Sequence, residues 1–330
     1  MKKTLLLQLL GAALFLTSLP VLVGCESESR GNSDGDSDSD SDGDSDGDSD
    51  GDSDGGDGLL WDPANNCDCP DITGDTAEDF AKAINLCPET GVLKESSTFS
   101  SDPNGPLEGM EILASQGSND CLVSQHGCQM FALSTGLIGN PNPNNAQGMG
   151  SSLDLIQDPT PDYQGDKPST PDEQTIYDVN QLKVTLIAPK GAKGFAFDFL
   201  FASSEYTEWI DAGYNDTFYA ILEHPGVNNG ATTNISFDSN NNEIEVNTNF
   251  FENTDFPCNE AGSGWEPAVE GQSGSTGWLR TSYPIAEGDE FKLTFSIHDE
   301  GDCMYDSIVF IDNFQWLSKP TANETVPPIE

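Results

Sequence analysis

Four phenylalanines alternate at Phe195, Phe197, Phe199 and Phe201. Residues two apart share one face of a strand but fall on opposite sides of a helix, so only a strand sets all four rings in one row. That much aromatic surface has to be covered, which commits the chain to a sheet packed against a second layer. The same alternation returns at Phe291, Leu293, Phe295 and Ile297, and Ser307 to Trp316 carries apolar residues on both faces, with Ile308 and Phe310 opposite Val309 and Ile311. Further short runs separated by Gly, Pro, Asn and Asp lie at Gly91–Phe99, Met110–Ala114, Met130–Leu133, Leu182–Ile187, Thr217–Leu222 and Ile244–Phe251. Many short strands with turn signals between them predict a mainly β fold, a β-sandwich or jelly-roll-like domain. One short N-terminal helix is expected at Thr76–Leu86, with a threonine cap, acids in its first turn and Phe80, Ala83 and Ile84 on one face.

The amino terminus reads differently. Lys2 and Lys3 precede an apolar run from Leu5 to Val23, the pattern of an export signal over residues 1–24. Leu22, Val23, Gly24 and Cys25 form a lipobox, which makes Cys25 the expected site of acylation and the lipid the expected membrane anchor. Glu26 after the cysteine favours the outer membrane and cell surface. Residues 26–58 are almost all Ser, Asp and Gly and can bury no apolar area, so 25–58 is read as an acylated cysteine on a disordered, self-repelling tether. Asp38, Asp40, Asp42 and Gly43 match the opening of a calcium loop without its closing glutamate, and a solvated spacer that collects cations loosely is the plainer reading. Residues 59–330 are long enough for one domain with a proper core.

The formal net charge is −45, and much of it lies outside the tether. A body that acidic repels nucleic acid and anionic lipid and favours divalent cations or neutral polar partners. Acids concentrate in two connections that follow core strands: Glu205, Glu208, Asp211 and Asp216 in one, and Asp299, Glu300, Asp302 and Asp306 in the other. Two such loops at strand ends point to one shared site.

Eight cysteines are present, and export makes disulfides the expected fate of those not acylated. Cys121 and Cys128 can staple one loop, and Cys258 can bridge to Cys303. Cys67 or Cys69 can reach Cys87; zinc at these three is weakly supported by their spacing. The connection from Gly139 to Asp172 has no strong periodicity. No HExxH, GxSxG or phosphate loop occurs, and only His126, His224 and His298 supply imidazoles. No catalysis is therefore expected, the alternative being a polysaccharide hydrolase working with paired carboxylates. Tyr206, Trp209, Tyr214, Tyr219, Trp265 and Trp278 allow sugar stacking, with Tyr206 and Trp209 the chosen ligand contacts and Trp316 assigned to the core.

The run FDFLFASSEYTEWIDAGYNDTFYAIL, with YDVNQLKVTLIAP and MFALSTG before it and NISFDSNNNEIEVNTNFF and FSIHDEGDCMYDSIVF after it, resembles the choice-of-anchor L domain of bacterial surface proteins. The matching motif positions are Phe201, Ser203, Glu205, Tyr206, Asn215, Asp216 and Phe218, then Asp299, Asp302, Tyr305, Asp306 and Ser307. Ser204 departs from the pattern where an acid is common, and so does Cys303. The resemblance implies an exported β-rich domain held at the surface by a sorting device, of which a lipobox is one.

Acids that approach one another at a sheet rim need protons or a cation. Calcium, which takes six to eight oxygens, is the expected cofactor, with Glu205, Asn215, Asp216, Asp299, Asp302 and Asp306 as ligands. The competing reading is that these groups cap turns. The chain is thus expected to be a lipid-anchored surface binding or adhesion protein supported by calcium. Its partners would be the membrane through Cys25 and a surface glycan or another surface protein, with no nucleic acid. A purely structural envelope or matrix role is the further alternative.

Overall fold

A computed structural model describes residues 72–86, 93–100, 109–114, 123–127, 129–136, 138, 176–206, 209–210, 214, 216–248, 250, 274–300 and 306–328. The signal, Cys25, the tether, all the cysteines, Asn215, Asp302, Trp265 and the 139–172 connection lie outside these residues. Among the described residues no helix is long and apolar enough to cross a membrane.

The helix α1, Ala77–Ala83, forms where it was expected. Thr76 accepts from the Asp79 backbone N–H while Asp79 reaches back to the Thr76 N–H, a reciprocal box that satisfies two of the orphan donors at a helix start. Its end is equally defined. Asn85 takes a left-handed conformation (φ 72°), and the N–H groups of Asn85 and Leu86 return to Lys82 O and Ala81 O. Phe80 stacks on Phe131 with ring centroids 4.6 Å apart, which docks the helix on the sheet behind it.

Among the described residues, twelve strands build two antiparallel sheets. The first contains β1 (Leu93–Ser100), β4 (Ile176–Ile187), β10 (Glu290–Glu300), β6 (Thr217–Glu223) and β7 (Thr232–Asn234) in that order, with β8 (Ile244–Glu245) also on β6. The second runs β12 (Glu324–Val326), β9 (Gly274–Pro284), β5 (Gly194–Ser203), β11 (Ser307–Leu317), β3 (Gln129–Ser134), β2 (Met110–Ala114). They pack as a sandwich. The four phenylalanines of β5 are buried between the sheets, as their spacing requires. Phe195 stacks on Phe291 at 5.2 Å, Phe197 meets Phe295 edge-on at 5.0 Å, and Phe199 meets Phe218 at 4.9 Å. Each such pair adds about 0.5–1.5 kcal/mol beyond the area it buries. Trp316 belongs to this core, against Phe195 and Phe314.

Two expectations are corrected or completed. The run Ile244–Phe251 is not a strand over its length: β8 ends at Glu245, and Thr248 N–H turns back to Glu245 O. Its ladder runs down β6 only to Thr217, where β6 itself begins, so a longer strand would have nothing to pair with. Strand β9 carries no visible alternation because its inward row is Leu279, Thr281 and Tyr283 while its outward row holds Trp278 and Arg280. Thr281 is wholly buried and keeps its hydroxyl satisfied through Ser236 and Thr325, each at 2.8 Å.

Each sheet carries one bulge with a polar residue at positive φ. In β4 it lies at Asp178 (φ 54°), where the pairing with β10 slips between Ile297 and Asp299. In β11 it lies at Asn313 (φ 55°), after Asp312. Short side chains of this type tolerate a conformation that β-branched residues do not.

Candidate functional site

The core stripes change character at one end of the sandwich. On β5 the inward row continues Phe201, Ser203 and then Glu205; on β11 it runs from Val309 to Ser307, and on β3 from Leu133 to Thr135. On the facing sheet, Phe218 gives way to Asp216, Ile297 to Asp299 and Leu182 to Asn180. All seven polar residues at these ends are buried, with Glu205 and Asp299 1 % exposed and Asp216 0 %. The sandwich is closed by oxygen here, where a pure packing rule would have placed carbon. Asn180 Nδ2 donates to Ser134 O at 2.7 Å and ties the two sheets together at this end.

Serine and threonine hydroxyls lace the three strand ends of the second sheet. Ser134 Oγ donates to Ser307 O at 3.0 Å, and Thr135 Oγ1 accepts the Ser307 N–H at 2.9 Å. Ser203 Oγ accepts the Glu205 N–H at 3.0 Å and starts the turn that brings Trp209 N–H onto Glu205 O. Ser204, where an acid was expected by resemblance, donates through its hydroxyl to Asp306 O at 2.8 Å, so it holds the second loop to the first.

Asp306 has the opposite parity to Ser307. Its carboxyl lies directly on Gly136, where any added Cβ would collide with it. Gly109 plays the same part under the Asn180–Ser134 contact. The glycine ending MFALSTG is thus explained by close approach. Burial of the Asp306 carboxyl pushes it up to about 7, although the residue as a whole keeps some exposure.

Of the six expected ligands, Glu205, Asp216 and Asp299 end inward stripes, Asp306 sits against Gly136, and Asn215 and Asp302 are outside the described residues. Among the described residues no three His, Cys, Asp or Glu side chains form a ready-made metal cage. Asn180 and Ser307 were not in the expected ligand set. Their signal was present in the sequence, since both stand two residues beyond an apolar member of an alternating row. His298 is buried beside this end, bonded through Nε2 to Glu300 at 2.9 Å and tilted on Tyr219 at 5.3 Å. Burial lowers it to about 4, so the imidazole is neutral at neutral pH.

The aromatic candidates divide. Tyr206 packs partly buried against the main core. Trp209 is half-buried and perpendicular to Tyr214 at 5.3 Å, with Ile210 beside it 40 % exposed. Tyr219 is buried with its hydroxyl on Glu243, and Trp278 packs on a second apolar cluster on the outer face of β5, β11 and β3.

Residues 124–315 match the model of the choice-of-anchor L domain. The chain belongs to the choice-of-anchor L domain family. Membership implies a bacterial cell-surface protein. No curated protein sequence matches the chain significantly. Among solved structures it is similar to the K2 cleaved adhesin domain of Lys-gingipain, at 14 % identity over 66 % of this chain and 87 % of that one, TM-score 0.31. It is similar also to TmCBM61, solved with β-1,4-galactotriose, at 13 % identity over 69 % and 91 %, TM-score 0.28. The K1 cleaved adhesin domain of Lys-gingipain from Porphyromonas gingivalis W83 gives 13 % identity over 66 % and 90 %, TM-score 0.25. All three likenesses are distant.

Proposed function

We propose that this is a lipid-anchored surface protein whose choice-of-anchor L domain binds a partner outside the cell, with calcium supporting the domain and no catalysis. The observation that carries the reading is family membership over residues 124–315 in a chain whose amino terminus has a lipobox and an extended acidic tether. Acylated Cys25 would hold the protein in the envelope, in the outer membrane by the Glu26 rule, and residues 26–58 would lift the domain from the lipid surface. Calcium would be taken by the acids of the two loops, from the set Glu205, Asn215, Asp216, Asp299, Asp302 and Asp306. Trp209 and Tyr206 border the first loop and would meet a surface glycan or a neighbouring protein.

One experiment tests both halves. Cells expressing the full chain are labelled with radioactive palmitate and scored for adhesion to immobilised glycans with calcium or chelator. Label lost in Cys25→Ser, and adhesion that falls at least tenfold in chelator, are the expected results. Unlabelled wild-type protein removes the lipid anchor, and adhesion indifferent to chelator removes the calcium support.

A further inference from the structure

The outer face of the second sheet owes one patch to an irregularity in β9. Ser275 pairs with Ala202 and Trp278 with Leu200, so three steps along β9 match two along β5. That is a one-residue bulge, with Gly277 at φ 66° and the Thr276 hydroxyl accepting the Phe201 N–H at 3.1 Å. A one-residue slip exchanges the two faces of a strand. Counted by strict alternation from outward Ser275, Trp278 and Arg280 would point into the core. Across the bulge they sit on the outer face instead, beside Leu200 and Asp198.

Trp278 is half-buried: part of its indole packs on the apolar cluster that holds Leu200 and Phe310, the rest meets solvent, and Nε1 bonds to no described residue. Arg280 keeps 32 % of its side chain exposed while Nε and Nη2 are fixed on Asp198 at 2.6 and 2.8 Å, and no described residue takes Nη1. Val326, opposite Arg280 on β12, is 41 % exposed. Residues two apart on a strand lie about 7 Å apart, so one pyranose ring laid on Trp278 brings its hydroxyls over Nη1. An indole offers an apolar floor to the C–H face of a sugar, and a guanidinium locked in place gives a hydroxyl a donor of fixed direction. The Arg280 charge is offset by Asp198, and Asp312 stands next in the same cross-strand row, so the patch has no net positive charge to draw an acidic group. An uncharged sugar suits it and a uronic acid does not. Paired strands also hold the two side chains more firmly than a loop would.

We infer that Trp278 and Arg280 form a sugar-binding platform on the outer face of the second sheet, taking a neutral hexose of a glycan chain, with the indole under the ring and Nη1 donating to a hydroxyl. This rests on the surface-binding reading above and adds a contact apart from Trp209 and Tyr206.

Calorimetry and tryptophan fluorescence on the full chain, with calcium present throughout, test it against neutral oligosaccharides of glucose, galactose and mannose and against oligogalacturonate. A neutral sugar should bind the parent, and Trp278→Ala should weaken it about tenfold, Trp278→Phe less. Arg280→Lys, which keeps a charge on Asp198 but loses the Nη1 donor, should weaken it several-fold. Melting curves check that each variant is folded, and Trp278→Phe, which keeps a ring over the apolar cluster, carries the test if alanine unfolds the sheet. Neutral-sugar binding unchanged in the Trp278 and Arg280 variants overturns the platform and leaves the glycan reading to the first loop. Preference for oligogalacturonate overturns the neutral partner. No sugar bound by the parent chain overturns both the platform and the glycan reading.

Discussion

Two groups of buried carboxylates in the domain sit in different surroundings. On the outer face of the second sheet, Asp198 is 1 % exposed and receives Arg280 through two bonds, 2.6 and 2.8 Å, and Asn313 Nδ2 at 2.7 Å. Asp312 nearby collects the backbone N–H groups of Gln125, His126 and Asn313, which pins the 123–127 segment to β11. Every acid there is matched by donors built into the same sheet. At the oxygen-lined end, Glu205, Asp216 and Asp299 are equally buried, yet the strand ends that carry them bring no lysine or arginine. The described bases lie on α1, in mid-sheet or at the far end, as with Lys190, Lys193 and Lys292. A buried ion pair is a self-contained structural device.

The largest expected effect lies on the matched side. Arg280→Ala leaves Asp198 buried with its main countercharge gone and should cost about 3 kcal/mol in urea unfolding, the same with calcium as with chelator. Calcium rescue of that variant would erase the contrast between the two places. Next comes the oxygen-lined end. Calcium at about a hundredfold over its dissociation constant should add about 2.7 kcal/mol to the parent chain, and Asp299→Asn should remove that gain while leaving Arg280-dependent stability intact. Melting curves of parent and variant, with and without chelator, decide it.

The third effect is a slope with pH, small per unit of pH. Burial and the neighbouring Asp198 charge push Asp312 up, against the pull of three backbone N–H donors, to about 7. A carboxyl raised in the folded state gives stability that is complete below its unfolded value near 4 and is lost as pH rises through about 7. The contribution changes by at most about 1.4 kcal/mol per pH unit. Asp312→Asn should flatten the stability profile between pH 4 and 7. Buried His298, lowered to about 4, has the opposite sign over pH 6.5 to 4 and cancels in the comparison because both proteins keep it. An unchanged slope would mean that Asp312 is ionised throughout and belongs with the fully matched Asp198.

Local pattern carried much of the architecture. The Phe195–Phe201 row, the Phe291–Ile297 row and the two-faced β11 were legible because alternation and burial share a period of two. The helix was legible from Thr76 and Asp79, whose capping chemistry is contained within four residues. Strand β9 was hidden because Thr281 faces in and Trp278 faces out, each justified only by partners far along the chain. Strand β8 was overdrawn because alternation reports a face to bury and says nothing about whether a neighbouring strand continues alongside. At the site, the acids were legible by composition, and Asn180 and Ser307 were missed because single polar residues in apolar rows look like ordinary strand polar residues until the facing sheet is known.

What the sequence determined by itself is the set of periods: which residues share a face, where a helix starts and stops, and where the apolar rows give out into oxygen. Those follow from backbone geometry, which is local and the same in every protein. Which rows face each other was settled only by the tertiary structure. The Phe199–Phe218 contact, the Asn180–Ser134 bond and the approach of Asp306 to Gly136 join residues 19, 46 and 170 positions apart. Pairing of sheets depends on twist, bulges and the packing of whole layers, and it is that pairing which turns six separate row ends into one buried, oxygen-lined mouth.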